Sequence, residues 1–237
     1  MNHSGFGLLR HAIWAGCALV LSACGGGGSD AGDTTPYALA QGVRNLYTGN
    51  HSWTVSGTAS DGLVYRMTWG YAASGTGVFP VTGVTAARSL ASYRSYQGST
   101  LLSDSSGSLY YRDGDLGLVG VSNDDGTCSD ATTTVAVPTT ARIGSRMTNY
   151  ASVDELAGCT AISAVEARTK HGWSLTSDRG VSLLCQDSEF FDTSGISQGT
   201  QSDCVGISPD GTLNSYARST AVVYSTSGTW TWTGRNY

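Results

Sequence analysis

The chain has 237 residues, with 13 Lys and Arg against 18 Asp and Glu, and only 13% of its residues are charged. Average soluble proteins are roughly 25% charged. Lys170 is the sole lysine and no Lys/Arg run exists, which argues against nucleic acid as a partner and against a polybasic membrane patch. Ser, Thr and Gly supply the polar surface instead, and exposed strand faces accept Ser and Thr where helical surfaces favour Glu, Lys, Gln and Arg. Composition therefore leans to a mainly β fold.

In chain order, Met1–His11 is short and polar with Arg10 as its only fixed cation, and Ala12–Val20 is mostly apolar. Small residues then lead to Cys24 and a run of four glycines. A basic start, a short apolar stretch and a small-residue cut site form a secretory signal over 1–23. The apolar run is about half of the roughly 20 residues that a bilayer span needs.

Leu21-Ser22-Ala23-Cys24 resembles the lipobox of bacterial lipoproteins. That resemblance implies a diacylglyceryl group on the Cys24 thiol, cleavage before Cys24 and acylation of the new amino terminus. It also implies the lipoprotein processing and sorting machinery as partners, with the membrane held through acyl chains. Several chains, at about 0.8 kcal/mol per buried methylene, anchor a domain durably. Gly25, where Asp favours inner-membrane retention under the enterobacterial rule, implies delivery to the outer membrane. The body resembles, in general style, the uncharacterised Gly/Ser/Thr-rich lipoproteins of high-GC proteobacteria. That likeness transfers no activity.

Without the signal, residues 24–237 carry 12 basic and 18 acidic side chains, a charge of −6. Residues 24–36 form a flexible Gly/Ser-rich tether, and 37–237 form one β-rich domain. Cys17 leaves with the signal and Cys24 carries lipid, so Cys128, Cys159, Cys185 and Cys204 remain, an even set in an oxidising compartment. Four cysteines allow three pairings. Cys128–Cys159 and Cys185–Cys204 are favoured, the second because it closes the polar, turn-prone excursion Gln186–Asp203.

Ser52–Thr58 and Leu63–Tyr71 alternate apolar and polar residues around Ser60-Asp61-Gly62, which predicts a β-hairpin. Ala86–Tyr96 is ambiguous. Further strands are expected at Leu109–Tyr111, Leu116–Ser122, Thr132–Val137, Gly172–Thr176 and Val181–Cys185. A last hairpin joins Thr220–Ser225 to Thr229–Thr233. Ser152-Val153-Asp154-Glu155 fits a capping box ahead of helical spacing, with Thr160–Arg168 open to a strand instead. The whole predicts an antiparallel sandwich or barrel-like meander with at most one or two short helices.

Candidate chemistry is sparse. Gly195-Ile196-Ser197-Gln198-Gly199 matches the G-x-S-x-G elbow, but no histidine follows Ser197 and no α/β alternation surrounds it. His51 and His171 lack companions at metal-ligand spacing. Asp113, Asp115, Asn123, Asp124 and Asp125 flank a strand as potential calcium oxygens, and they equally suit ordinary turns. Trp53, Trp69, Trp173, Trp230 and Trp232, with Tyr65, Tyr71, Tyr110, Tyr111 and Tyr224, suit either a core or a ligand cavity. Trp230, Trp232 and the terminal Tyr237 also suit the last strand of an outer-membrane barrel, a reading set aside for want of long amphipathic strands. The expectation is a non-enzymatic lipoprotein without cofactor or metal, whose β domain serves structure or interaction. The alternative is a carrier of an apolar ligand in a barrel or half-barrel.

Overall fold

Twelve strands joined almost wholly by hairpins meet the requirement of backbone pairing by closing on themselves. A computed structural model describes residues 34–236. After one helix, α1 (Leu39–Thr48), the chain runs through β1 (His51–Thr58), β2 (Val64–Val78), β3 (Thr85–Gln97) and β4 (Thr100–Tyr111). Then come β5 (Leu118–Asn123), β6 (Cys128–Thr134), β7 (Arg146–Leu156) and β8 (Val165–Asp178). The last four are β9 (Val181–Asp192), β10 (Ser197–Ile207), β11 (Leu213–Ser225) and β12 (Gly228–Arg235). Each strand pairs antiparallel with its sequence neighbours, and β12 returns to β1 through Ser56 opposite Arg235. Closure leaves no sheet edge to template aggregation.

Alternation sets the two faces. On β2, Tyr65, Met67, Trp69 and Tyr71 are buried and point inward, while Arg66 points out. Most outward positions are polar, with Val64, Leu90 and Leu101 as exposed exceptions, and several pair directly across strands: Thr54 with Thr68, Arg94 with Asp104, Arg168 with Asp154. Eight of the twelve strands run 11–15 residues, so the expected shortage of long strands is corrected. The pattern still runs opposite to that of a lipid-embedded barrel, which is apolar outside.

A small eight-stranded barrel is filled by its own side chains, and width grows with strand number. Helix α1 fills part of the extra width at one end, hereafter the helix end. Leu39, Val43, Leu46 and Tyr47 fall on one stripe and are buried. Gly42 permits the close approach, because a Cβ there would lie 2.6 Å from Ile207 Cδ1. Arg44 fastens the helix to Asp113 at 2.5 Å, and the Asn45 amide donates to Gly211 O at 2.9 Å. The Tyr47 ring packs on Tyr71, Tyr111 and Trp173 with centroids 5.8, 4.9 and 6.2 Å away. Outside the barrel, the β2–β3 tip folds back so that Phe79 covers Gly120, where a Cβ would lie 2.3 Å from its ring.

Several expectations are corrected. The helix proposed from Ser152 is absent: β7 and β8 occupy that sequence, because Ala151, Val153 and Glu155 also satisfy period 2 and point inward. Glu155, read as half of a capping box, accepts hydrogen bonds from Ser129 and Thr169 instead. Ala86–Tyr96 is strand, and α1 was not anticipated. Leu116 lies in the turn before β5 with φ 61°, a backbone region uncommon for a branched residue. It is held there by full burial and by the Tyr150 hydroxyl, which donates to its carbonyl. The sulfurs of both favoured cysteine pairs lie at 2.09 Å. Gln186–Asp203 is not an excursion, however. It is most of the β9–β10 hairpin, and Cys185 faces Cys204 directly in register.

If α1 is an integral part of the core, Tyr47→Ala should destabilise the protein by about 3–5 kcal/mol, whereas Thr54→Ala on the outer face should cost under about 0.5 kcal/mol. Urea unfolding followed by tryptophan fluorescence checks this; equal midpoints for the two variants would show that the helix merely rests on the barrel.

Candidate functional site

The lumen divides into two halves of different character. Toward the helix end, inward side chains such as Val55, Ala91, Leu109, Val153, Leu175, Val205 and Ala217 are 0–3% exposed. A cavity of about 20 Å³ remains there, between Tyr47, Leu109, Val121, His171, Trp173 and Gln186. That is about one water's room. The Trp173 indole N–H, on its border, has no hydrogen-bond partner.

Halfway along the axis the lining turns polar. The Tyr71 hydroxyl on β2 donates to Gln186 Oε1 on β9 at 2.6 Å, spanning the lumen between strands five apart around the barrel. On β10, Asp203 accepts from the Ser219 hydroxyl and from the Gln201 amide, both at 2.6 Å. Gln201 and Ser219 each also approach Met67 Sδ across the lumen, at 3.8 and 3.9 Å. His171 Nδ1 lies 2.7 Å from Ser188 Oγ. Toward the far end, Tyr93, Ser188, Phe190, Gln201, Asp203, Ala221 and Trp230 share the inward face yet are only half-buried. The strands that pack the core at one end thus present accessible polar groups at the other.

Burial dominates the electrostatics of this layer. It raises the Asp203 carboxyl to about 6, against the hydrogen bonds from Ser219 and Gln201 that lower it. It lowers His171 to about 4. Burial raises Glu155 despite its two hydroxyl donors, and raises the Tyr71 and Tyr93 hydroxyls, both of which also feel the charge of Asp203. All five of these titratable groups are thus biased toward their neutral forms.

The residues singled out from sequence disperse. Cys24, with the signal and most of the tether, lies outside the described residues. Ser197 opens β10 after a hairpin turn, with no helix following, and its hydroxyl is buried without a partner. The elbow context is therefore not met. His51 sits at the helix-end rim, stacked on Trp53 and 3.0 Å from Asn45 O, while His171 lies in the lumen. Asp113 and Asp115 occupy the turn before β5, paired to Arg44 and Arg112. Asn123 ends β5 and Asp124 and Asp125 occupy the turn after it, so the proposed calcium oxygens lie at opposite ends of a strand. Among the described residues no three metal-ligating side chains cluster. The aromatic set faces inward except for Tyr110, which packs under Phe79, and Tyr224 on the outer face. Asp203, Gln186, Gln201 and Glu155 were missed; their only sequence signal was a polar residue on the inward phase of a strand. No protein-family model, curated protein or solved structure matches this chain.

The two shifted groups pull stability in opposite directions. Asp203, raised on folding, contributes stability that is full below about pH 4 and is lost as pH rises through about 6. His171, lowered on folding, contributes stability that is full above about 6.5 and is lost as pH falls through about 4. Relative to the unmodified protein, Asp203→Asn should therefore gain about 1–2 kcal/mol between pH 4 and 7, and His171→Gln should lose a similar amount. Urea titrations at pH 4, 5, 6 and 7 measure this, and three parallel curves would refute both assignments.

Proposed function

We propose that this chain is an envelope lipoprotein, anchored through lipid on Cys24, whose barrel is a non-enzymatic interaction module that holds a small molecule in its far half. The anchor rests on Leu21-Ser22-Ala23-Cys24 and the preceding apolar run. The observation that carries the binding role is the contrast within the lumen: inward side chains toward the helix end are fully buried, whereas toward the other end Tyr93, Phe190, Gln201, Asp203, Ala221 and Trp230 are half-buried among the buried Tyr65, Ser95, Thr169 and Trp232. A barrel serving as scaffold alone gains nothing from holding Asp203 and Glu155 inside, where burial opposes their charge.

Tyr37 pairs with Ala141, and Ala38 donates to Pro209 O, so the chain enters the barrel at the helix end. From Cys24 to Tyr37 is 13 residues, a reach of about 45 Å at most. With the anchor at Cys24, the tether joins the barrel at its helix end, and the polar half is the end remote from that junction. The carrier reading with an apolar guest has about 20 Å³ to work with in the packed half, against the roughly 300 Å³ of ordinary ligand pockets. A guest therefore belongs in the far half.

Cys24→Ser should abolish labelling by a palmitate analogue and release the protein from the membrane fraction; a variant that still labels and still fractionates with membrane would refute the anchor. A fluorophosphonate probe should leave Ser197 unlabelled in the folded body, and stoichiometric labelling lost in Ser197→Ala would refute the non-enzymatic reading. Native mass spectrometry of the purified body should show a retained small molecule, and a bare polypeptide mass in every preparation would contradict the binding role.

A further inference from the structure

Resting on that reading, we infer that the chamber around Asp203 takes a small organic cation, an ammonium group carried on a short apolar or aromatic body. The argument starts from what the lumen lacks. Among the described residues every Arg and Lys of the strands falls on the outward phase, as Arg66, Arg88, Arg94, Arg168, Lys170 and Arg218 do. No fixed cation therefore faces Asp203. The titratable groups around it are Tyr71 from β2, Tyr93 from β3 and, through the sheet, Asp187 from β9. None is a cation, and the carboxylate of Asp187 opposes a second negative charge.

A carboxylate offers about four lone-pair positions. Ser219 and Gln201 use one on each oxygen of Asp203, which fixes the group's orientation and leaves the remaining positions free. Beside it stand further polar groups. Tyr93 lies within electrostatic reach of Asp203, and its hydroxyl interacts with that of Ser95, which is nine-tenths buried on the inward face. Ser95 is opposite Met67 in register, and Met67 touches the two residues that hold Asp203. Ser105, opposite Tyr93, adds an unpartnered hydroxyl.

An ammonium brings three donors and no acceptor. Asp203 and the hydroxyl oxygens of this wall are acceptors, and the rings of Tyr71 and Tyr93 offer π faces of the kind that attract cations. An anionic guest such as a fatty acid or phosphate would meet Asp203 with no compensating charge. A neutral alcohol would satisfy the hydroxyls but leave the carboxylate uncompensated.

Isothermal titration of the lipid-free body, with both disulfides intact, tests this using three isosteric probes: phenethylamine, 2-phenylethanol and phenylacetate. At pH 7.5 the amine should bind one to one, at least tenfold tighter than the alcohol, with the acid not binding. Asp203→Asn should remove that preference, bringing amine and alcohol within about threefold. Should that variant fail to fold, lowering the pH from 7.5 to 5 should weaken the amine at least fivefold while leaving the alcohol unchanged. Equal binding of amine and alcohol, or no amine binding at all, overturns the cation assignment. If a retained small molecule is still seen by native mass spectrometry in that case, the binding module stands and only the ligand class falls.

Discussion

The pairing of β12 with β1 is the constraint from which the rest follows. Eleven pairings between sequence neighbours leave two open edges, and the contact of Ser56 with Arg235 removes both. Closing twelve strands rather than eight makes an interior that side chains on strands alone do not fill. The molecule answers at one end only. Helix α1 brings Val43, Leu46 and Tyr47 into the opening, and large rings from β2, β4 and β8 meet Tyr47. At the other end no such element enters among the described residues, and the inward positions turn to Ser, Gln and Asp. Packed plug and half-buried polar lining are two consequences of one closure.

This division explains why stabilising and functional demands do not collide. The apolar half supplies the burial that stabilises the fold, at about 25 cal/mol per Å² of apolar surface removed from water. Cross-strand ties steady the walls: Cys185–Cys204 joins β9 to β10 on the outer face, and Cys128–Cys159 pins the end of β6 to the loop after β7. Asp203 and Gln186 stand on the same two strands as the first tie, directly opposite one another in register. The groups least favourable to the fold thus sit on its most firmly joined hairpin.

Much of the fold was legible because a strand with one wet face writes period 2 plainly. Trp53, Val55, Tyr65, Met67 and Trp69 announced the first hairpin, and Trp230 and Trp232 the last. The misreadings have physical causes. Val153 satisfies helical spacing with Leu156 as well as alternation with Ala151 and Glu155, and only pairing with β6 and β8 decides between them. Leu39, Val43, Leu46 and Tyr47 did carry a helical stripe, overshadowed by the β signal that follows. The candidate site was nearly silent, since a polar residue on an inward phase looks like an interruption of the pattern until closure shows that the inside has two halves. Whether the aromatics formed core or cavity likewise depends on the barrel's width, which alternation does not encode.

The central claim is that the far half of the lumen admits solutes while the helix half does not. Cysteine accessibility measures this most directly, with Ala221→Cys in the far half, Ala91→Cys in the packed half and Thr54→Cys on the outer face. Each is exposed to small methanethiosulfonate reagents, one cationic and one anionic. The account predicts modification at positions 54 and 221, faster for the cationic reagent at 221, and protection at 91 until the protein unfolds. Equal protection at 221 and 91 would show a lumen filled from end to end and contradict it.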